Sequence, residues 1–165
     1  MKFLFYPFFV CLFLLLGAHA FGQEITDQDF ETVLGDDWKG TLTYVDYQSG
    51  KKVGIPVELK VSQMKEGQYL LEYSFPEEPQ ANSQSKIKLS KDGKRLDKYR
   101  VLSREDLEGN TVKVVCLGDG KDDGKKATLF YTYTFDRKEF VIRKDVQYSL
   151  GNQAPFFRNE FRFTR

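Results

Sequence analysis

From Gly35 to the C-terminus the chain alternates apolar and polar residues with a period of two. That periodicity leaves the pleated strand as the element that can bury its hydrophobic side chains on one face. "WKGTLTYVDY", "KKVGIPVELKV", "GQYLLEYSF", "TVKVVCLG", "KATLFYTYTF" and "EFVIRKDVQY" are rich in β-branched and aromatic residues, which suit a half-buried pleated surface. Polar, glycine-bearing or charged turns separate them: "QSGK", "MKEG", "KDGK", "GDGKDDGK", "FDRK" and "LGNQ". Runs recurring about every 10–14 residues predict an antiparallel meander. A helix is expected only over 26–34, "TDQDFETVL", with Thr26 as N-cap and acidic residues in the first turn. The segment 76–85, "PEEPQANSQS", reads as a loop, since two prolines and small polar residues interrupt pairing. The expected fold is all-β: a single antiparallel up-and-down barrel of about 8–10 strands with a short N-terminal helix. A two-layer β-sandwich buries one face of each strand equally well and is the alternative.

Hairpin turns fix which residues oppose one another, so register can be read as well. A turn at Ser49-Gly50 sets Trp38 against Val61, Leu42 against Val57, Tyr44 against Ile55 and Thr41 against Glu58. The next strand then places Tyr69 opposite Val61, Leu71 opposite Leu59 and Tyr73 opposite Val57, with Glu58 against Glu72 on the wet face. A turn at Asp92-Gly93 opposes Leu89 to Leu96 and Lys88 to Asp97, and a bulge near Asp97-Lys98 reconciles the parities beyond it. Turning around Arg137-Lys138 opposes Tyr133 to Ile142 and Tyr131 to Lys144. Turning at Leu150–Gln153 opposes Asp145 to Arg158, Arg143 to Glu160 and Ile142 to Phe161, a register favoured by its two ion pairs.

The inward face so assembled is aliphatic and aromatic, with Tyr44, Tyr69, Tyr73, Tyr131, Tyr133, Lys144 and Asn159 as its polar members. Lys144 lies opposite Asn159. A lysine inside a barrel must be neutralised, hydrogen-bonded, or in touch with water or a ligand. One reading is a cavity for a small, partly apolar ligand carrying an acidic or carbonyl group, with Tyr73, Tyr131, Tyr133, Lys144 and Asn159 as its contacts. The other has Lys144 snorkelling at the rim while the tyrosines fill the core.

The first twenty residues, "MKFLFYPFFVCLFLLLGAHA", have the layout of a secretory signal: Lys2, an apolar run from Phe3 to Leu16, and small residues at Ala18 and Ala20. Cleavage after Ala20 is expected, with Gly22 as the alternative, leaving 21–165 as one domain. The expected location is secreted or periplasmic, without membrane insertion after processing. The chain's one histidine, His19, and one of its two cysteines, Cys11, fall within that segment. Cys116 then has no intrachain partner and reads as a small buried hydrophobe. Of 25 basic and 24 acidic residues, only Lys2 lies in the segment, so the remainder is neutral and gives no reason to propose nucleic acid as a partner.

Without a histidine beyond residue 20, histidine-based catalytic triads and histidine-containing zinc sites are not expected. "DGKDDG" at 119–124 superficially resembles a calcium loop, but Lys121 stands where an oxygen ligand belongs and Phe130 where a bidentate glutamate belongs. It reads as a surface turn. Glu58 and Glu72 are the one carboxylate pair the register brings together. No catalytic residue, metal or cofactor is expected, and the protein reads as non-enzymatic.

Gly35 and Trp38 at the start of the first strand, with Arg158 or Arg162 on the last, resemble the lipocalin-like (calycin) barrels. The resemblance implies that Trp38 closes one barrel end beneath an arginine, here Arg158, and that the interior carries a small apolar or amphipathic ligand. Strand alternation alone faces both arginines outward. A protein-interaction module with a filled core is the alternative function, its contact surface drawn from loops 76–85 or 118–126 and outward Leu70 and Phe130.

Overall fold

A computed structural model describes residues 24–150 and 154–165. Helix α1 (Asp27–Glu31) is followed by ten strands: β1 (Gly35–Val45), β2 (Lys52–Lys65), β3 (Gln68–Ser74), β4 (Ser83–Lys88), β5 (Arg95–Leu96), β6 (Tyr99–Leu107), β7 (Thr111–Asp122), β8 (Lys125–Phe135), β9 (Glu139–Tyr148) and β10 (Phe156–Thr164). They form one antiparallel sheet in the order β4-β3-β2-β1-β10-β9-β8-β7-β6-β5. Its two outermost strands come together at a Leu89–Leu96 bridge, where the Asp97 N–H donates to the Lys88 carbonyl (2.7 Å) and the Lys88 N–H to the Asp97 carboxylate (2.8 Å). The result is a nearly closed ten-stranded barrel of lipocalin-like form, the expected fold class. The expected cleavage sites at Ala20 and Gly22 lie outside the described residues.

The first hairpin turns two residues away from the expected register. The Asp46 carboxylate accepts from the N–H groups of Gln48 (3.3 Å) and Ser49 (3.0 Å) and from the Ser49 hydroxyl (2.5 Å), while Gly50, at φ 67°, donates to the Asp46 carbonyl (2.8 Å). This cap centres the loop on Tyr47–Gly50, so Trp38 faces Leu59, Leu42 faces Ile55, Tyr44 faces Val53 and Thr41 faces Pro56. A slip of two in the opposite direction occurs in the next pair, where Leu59 faces Tyr73 and Val61 faces Leu71. Because the slip is even, every side chain keeps its face. Glu72 lies across from Lys60, with 3.7 Å between their charged atoms, and Glu58 across from Ser74, so the expected Glu58–Glu72 pair does not exist. At Asp97-Lys98 the chain reverses, pairing Leu96 directly with Tyr99; the bulge sits instead between Val101 and Ser103.

The C-terminal half follows the expected register, with Tyr133 opposite Ile142, Tyr131 opposite Lys144, Asn159 opposite Lys144, Arg143 opposite Glu160 and Ile142 opposite Phe161. One residue departs. A bulge between Phe157 and Asn159 leaves Arg158 unpaired, and Asp145 faces Phe157 instead. A bulge redirects its side chain, and Arg158 is only 8% exposed rather than outward.

One end of the barrel is plugged. The Phe30 ring of α1 stacks on Tyr69 (4.9 Å between centroids) and Phe135 (5.5 Å), with Ile25, Val33 and Trp38 buried around it. Asp29 receives the Thr26 N–H (2.8 Å) and two bonds from the Arg104 guanidinium (3.1 and 2.7 Å), which tie the helix to β6. The Trp38 indole donates to the Val33 carbonyl (2.8 Å). Above its ring, at 4.1 Å, lies the guanidinium of Arg165, which donates to the carbonyls of Thr32, Leu34 and Arg137. The expected partner, Arg158, is elsewhere: β10 runs toward the plugged end, so its last arginine reaches Trp38 while Arg158 stays at the far end.

That far end is less completely walled. Residues 52–57 of β2 pair with β1 alone, since β3 joins only from Glu58, and residues 118–122 of β7 pair with β8 alone, since β6 joins at Leu117. Pro56 lies in the single-sided stretch of β2, where a residue lacking an N–H is tolerated.

Candidate ligand site at the barrel mouth

Even-numbered residues of β7 face inward: Val112, Val114 and Cys116 are buried, and the series continues through Gly118 and Gly120 to Asp122. The two glycines leave room for neighbouring side chains. A Cβ on Gly118 would lie 2.9 Å from the Tyr99 ring, and one on Gly120 would lie 2.6 Å from Leu129. Asp122 ends the row with its side chain 4% exposed.

Four groups converge on that carboxylate. Lys144 Nζ lies 3.0 Å from Oδ1, while Arg158 Nε (3.3 Å) and the hydroxyls of Tyr148 (3.2 Å) and Tyr47 (3.3 Å) approach Oδ2. Tyr47 comes from the β1–β2 loop, and its ring covers the Arg158 guanidinium at 3.3 Å. Burial pulls the Arg158 guanidinium below its ordinary value and, with the nearby Asp122 charge, pushes the Tyr148 phenol up. A buried and a half-buried cation thus share one anion, and among the described residues no hydrogen bond reaches the terminal nitrogens of Arg158.

The cluster borders a cavity of about 380 Å³ whose other walls include Leu42, Tyr44, Asn159 and Phe161. Lys144 and Asn159 therefore do line a space inside the mouth. Tyr73, Tyr131 and Tyr133 do not. Tyr73 packs on Phe161 (4.9 Å), Tyr131 on Tyr99 (4.8 Å) and Tyr133 (6.4 Å), and together they fill the barrel beneath the cavity. Burial pushes the Tyr73 phenol up to about 12 and raises Tyr131 and Tyr133 as well. The interior is thus solid below, where the tyrosines pack, and open above, where Lys144 and Asn159 line the space.

Asp122, Arg158, Tyr47 and Tyr148 were not among the expected contacts. The parity of Val112, Val114 and Cys116 reaches Asp122 if carried through the glycines, which is the signal that could have found it. The bulge that turns Arg158 inward leaves no mark in the alternation. Leu70 and Phe130, the proposed outward contacts, are half-buried. Among the described residues no three His, Cys, Asp or Glu side chains cluster in a metal-binding arrangement. Larger depressions near 89–93 and near 108–111 lie at the plugged end, and no buried charge faces either.

No family model and no curated protein sequence matches this chain. Among solved structures it is similar to Rv2717c from M. tuberculosis, with 12% sequence identity, a TM-score of 0.56, and coverage of 84% of this chain and 95% of that one. A mutant of the fluorescent protein UnaG is matched with a TM-score of 0.41 at 15% identity, over 82% of this chain and 96% of that one. At such identities the likeness to Rv2717c concerns the barrel fold alone.

Proposed function

We propose that this chain is an exported, non-enzymatic barrel that binds a small amphipathic molecule at its mouth. The polar head of the ligand, an acidic or carbonyl group, meets Lys144 and Arg158, and its apolar part lies along Leu42, Tyr44 and Phe161. The observation that carries this reading is the cavity of about 380 Å³ floored by the buried Arg158, the half-buried Lys144 and a single carboxylate. A pocket with apolar walls and a few convergent polar groups is the usual form of a small-molecule site, and its volume falls in the range such sites occupy. Export is inferred from the signal-like residues 1–20.

Native mass spectrometry of protein purified from its own host is expected to reveal a co-purifying small molecule, lost or much reduced in the Lys144→Met variant. A wild-type protein found only at its bare mass, whose NMR spectrum also ignores added octanoate at Tyr44, Lys144 and Phe161, would contradict the proposal.

A further inference from the structure

The charge count at the mouth carries the ligand class one step further. Lys144 and Arg158 bring two positive charges to the cavity floor, and Asp122 cancels one of them from a position where its side chain is 4% exposed. The carboxylate is already fully engaged, by Lys144 on one oxygen and by Arg158, Tyr47 and Tyr148 on the other. The donors left over belong to the cations: Lys144 can form further bonds from its ammonium, and the Arg158 terminal nitrogens hold no hydrogen bond among the described residues. Its side chain is 9% exposed, and since no buried side-chain nitrogen or oxygen among the described residues lacks a partner, those nitrogens are the part of it that reaches the space of the mouth.

We infer that Asp122 is a charge-selecting residue: the mouth accepts head groups bearing one negative charge and disfavours those bearing two. This rests on the reading of the mouth as an amphipathic-ligand site. A monoanion brings the buried cluster to neutrality. A dianion would leave one negative charge uncompensated, and the cost of taking that second charge out of water rises faster than its attraction to a floor with one net positive charge. Asp46 lies at the solvent-facing rim, where water screens its charge and keeps it out of that buried count; hydrogen bonds from Ser49 and Gln48 hold its carboxyl below the usual range. The phenols of Tyr44, Tyr47 and Tyr148 complete the set of titratable groups facing the head group.

Two probes with one tail separate the cases. Octanesulfonate is a monoanion throughout, whereas octyl phosphate gains its second charge near about pH 6. In calorimetric titrations of the wild-type chain, octyl phosphate is expected to lose about tenfold or more in affinity between about pH 5 and about pH 8, while octanesulfonate holds steady. Asp122→Asn is expected to abolish or reverse that loss. The wild-type comparison stands on its own if the variant fails to fold. Parallel pH dependence of the two probes, or tighter binding of the doubly charged phosphate, would overturn the inference and leave the mouth as a ligand site. Failure of both probes to bind a folded wild-type chain would remove the site and the selectivity together.

Discussion

Arg158 owes its place to one extra residue in β10. Without the bulge it would stand on the outer wall opposite Asp145; with it, the guanidinium reaches Asp122 between the ring of Tyr47 and the interior. Asp122 is the member the cluster can least lose, because its removal strands two cations in a poorly solvated place. Asp122→Ala is expected to cost about 3 kcal/mol, whereas Arg158→Met leaves the carboxylate with Lys144 and two phenols and costs well under half of that. Urea unfolding of the two variants checks the order, and equal losses would contradict it. At this scale the inward Lys144 was legible from alternation and from its Asn159 neighbour. Its partner was not, because the acidic run at 119–124 reads as a solvated turn until strand parity is followed to its last residue. A bulge is invisible for a simpler reason: the alternation it breaks resumes after a single residue.

Among the elements, the short helix matters beyond its length. Five residues form no stable helix alone, so α1 depends on the Asp29–Arg104 tie and on Phe30 set between Tyr69 and Phe135. Asp29→Ala removes both the helix cap and the guanidinium's partner, and is expected to cost about 2 kcal/mol. Amide hydrogen exchange should then quicken across 26–33 before it does in β7–β9. Uniform protection in the variant would mean that the plug is held by its aromatic packing alone. The strands were legible as elements, and their faces too, even where pairing was misplaced. In the first hairpin the error came from loop chemistry: an aspartate capping its own loop moved the turn by one position, and hence the pairing by two; in the second it came from a tight turn at Glu66-Gly67 followed by a bulge between Gln63 and Lys65. Evenness protected the inside–outside assignment from that error, whereas for β5 and β6 the mistaken bulge gave a chain reversal no parity to follow.

Across the whole molecule, the interior below the cavity is packed with phenols and a thiol, of which Tyr133 and Cys116 are buried and Tyr73 and Tyr131 half-buried. Tyr73 and Cys116 are each pushed up to about 12 by burial, and Tyr131 and Tyr133 are raised in the same direction. These groups remain protonated in the folded chain at pH values where the unfolded chain has already ionised them. Their contribution is therefore complete below the unfolded values, about 9 for the thiol and about 10 for the phenols, and is lost as pH rises toward about 12. The urea midpoint is expected to be level between about pH 7 and about pH 8 and to fall steadily above about pH 9. A midpoint unchanged at about pH 11 would mean that these groups meet water freely. Barrel against sandwich was the global question alternation left open, since both bury the same faces. It is decided where β4 and β5 meet, at the Leu89–Leu96 and Lys88–Asp97 contacts, a pairing the Asp92-Gly93 turn made legible although its role in closing the sheet was not.

The single-sided stretches of β2 and β7 bear on how a guest would come and go. Where a wall is knitted on both sides, admission requires hydrogen-bonded strands to part, a rare and slow event. Here, among the described residues, an aromatic side chain at a hairpin tip stands at the mouth, resting on a guanidinium. Turning that ring aside is a rotamer change with a small loop displacement, motions that run in nanoseconds to microseconds. Exchange at such a doorway would be quick, and residence would be set by how firmly the charged floor holds its guest rather than by any opening of the wall.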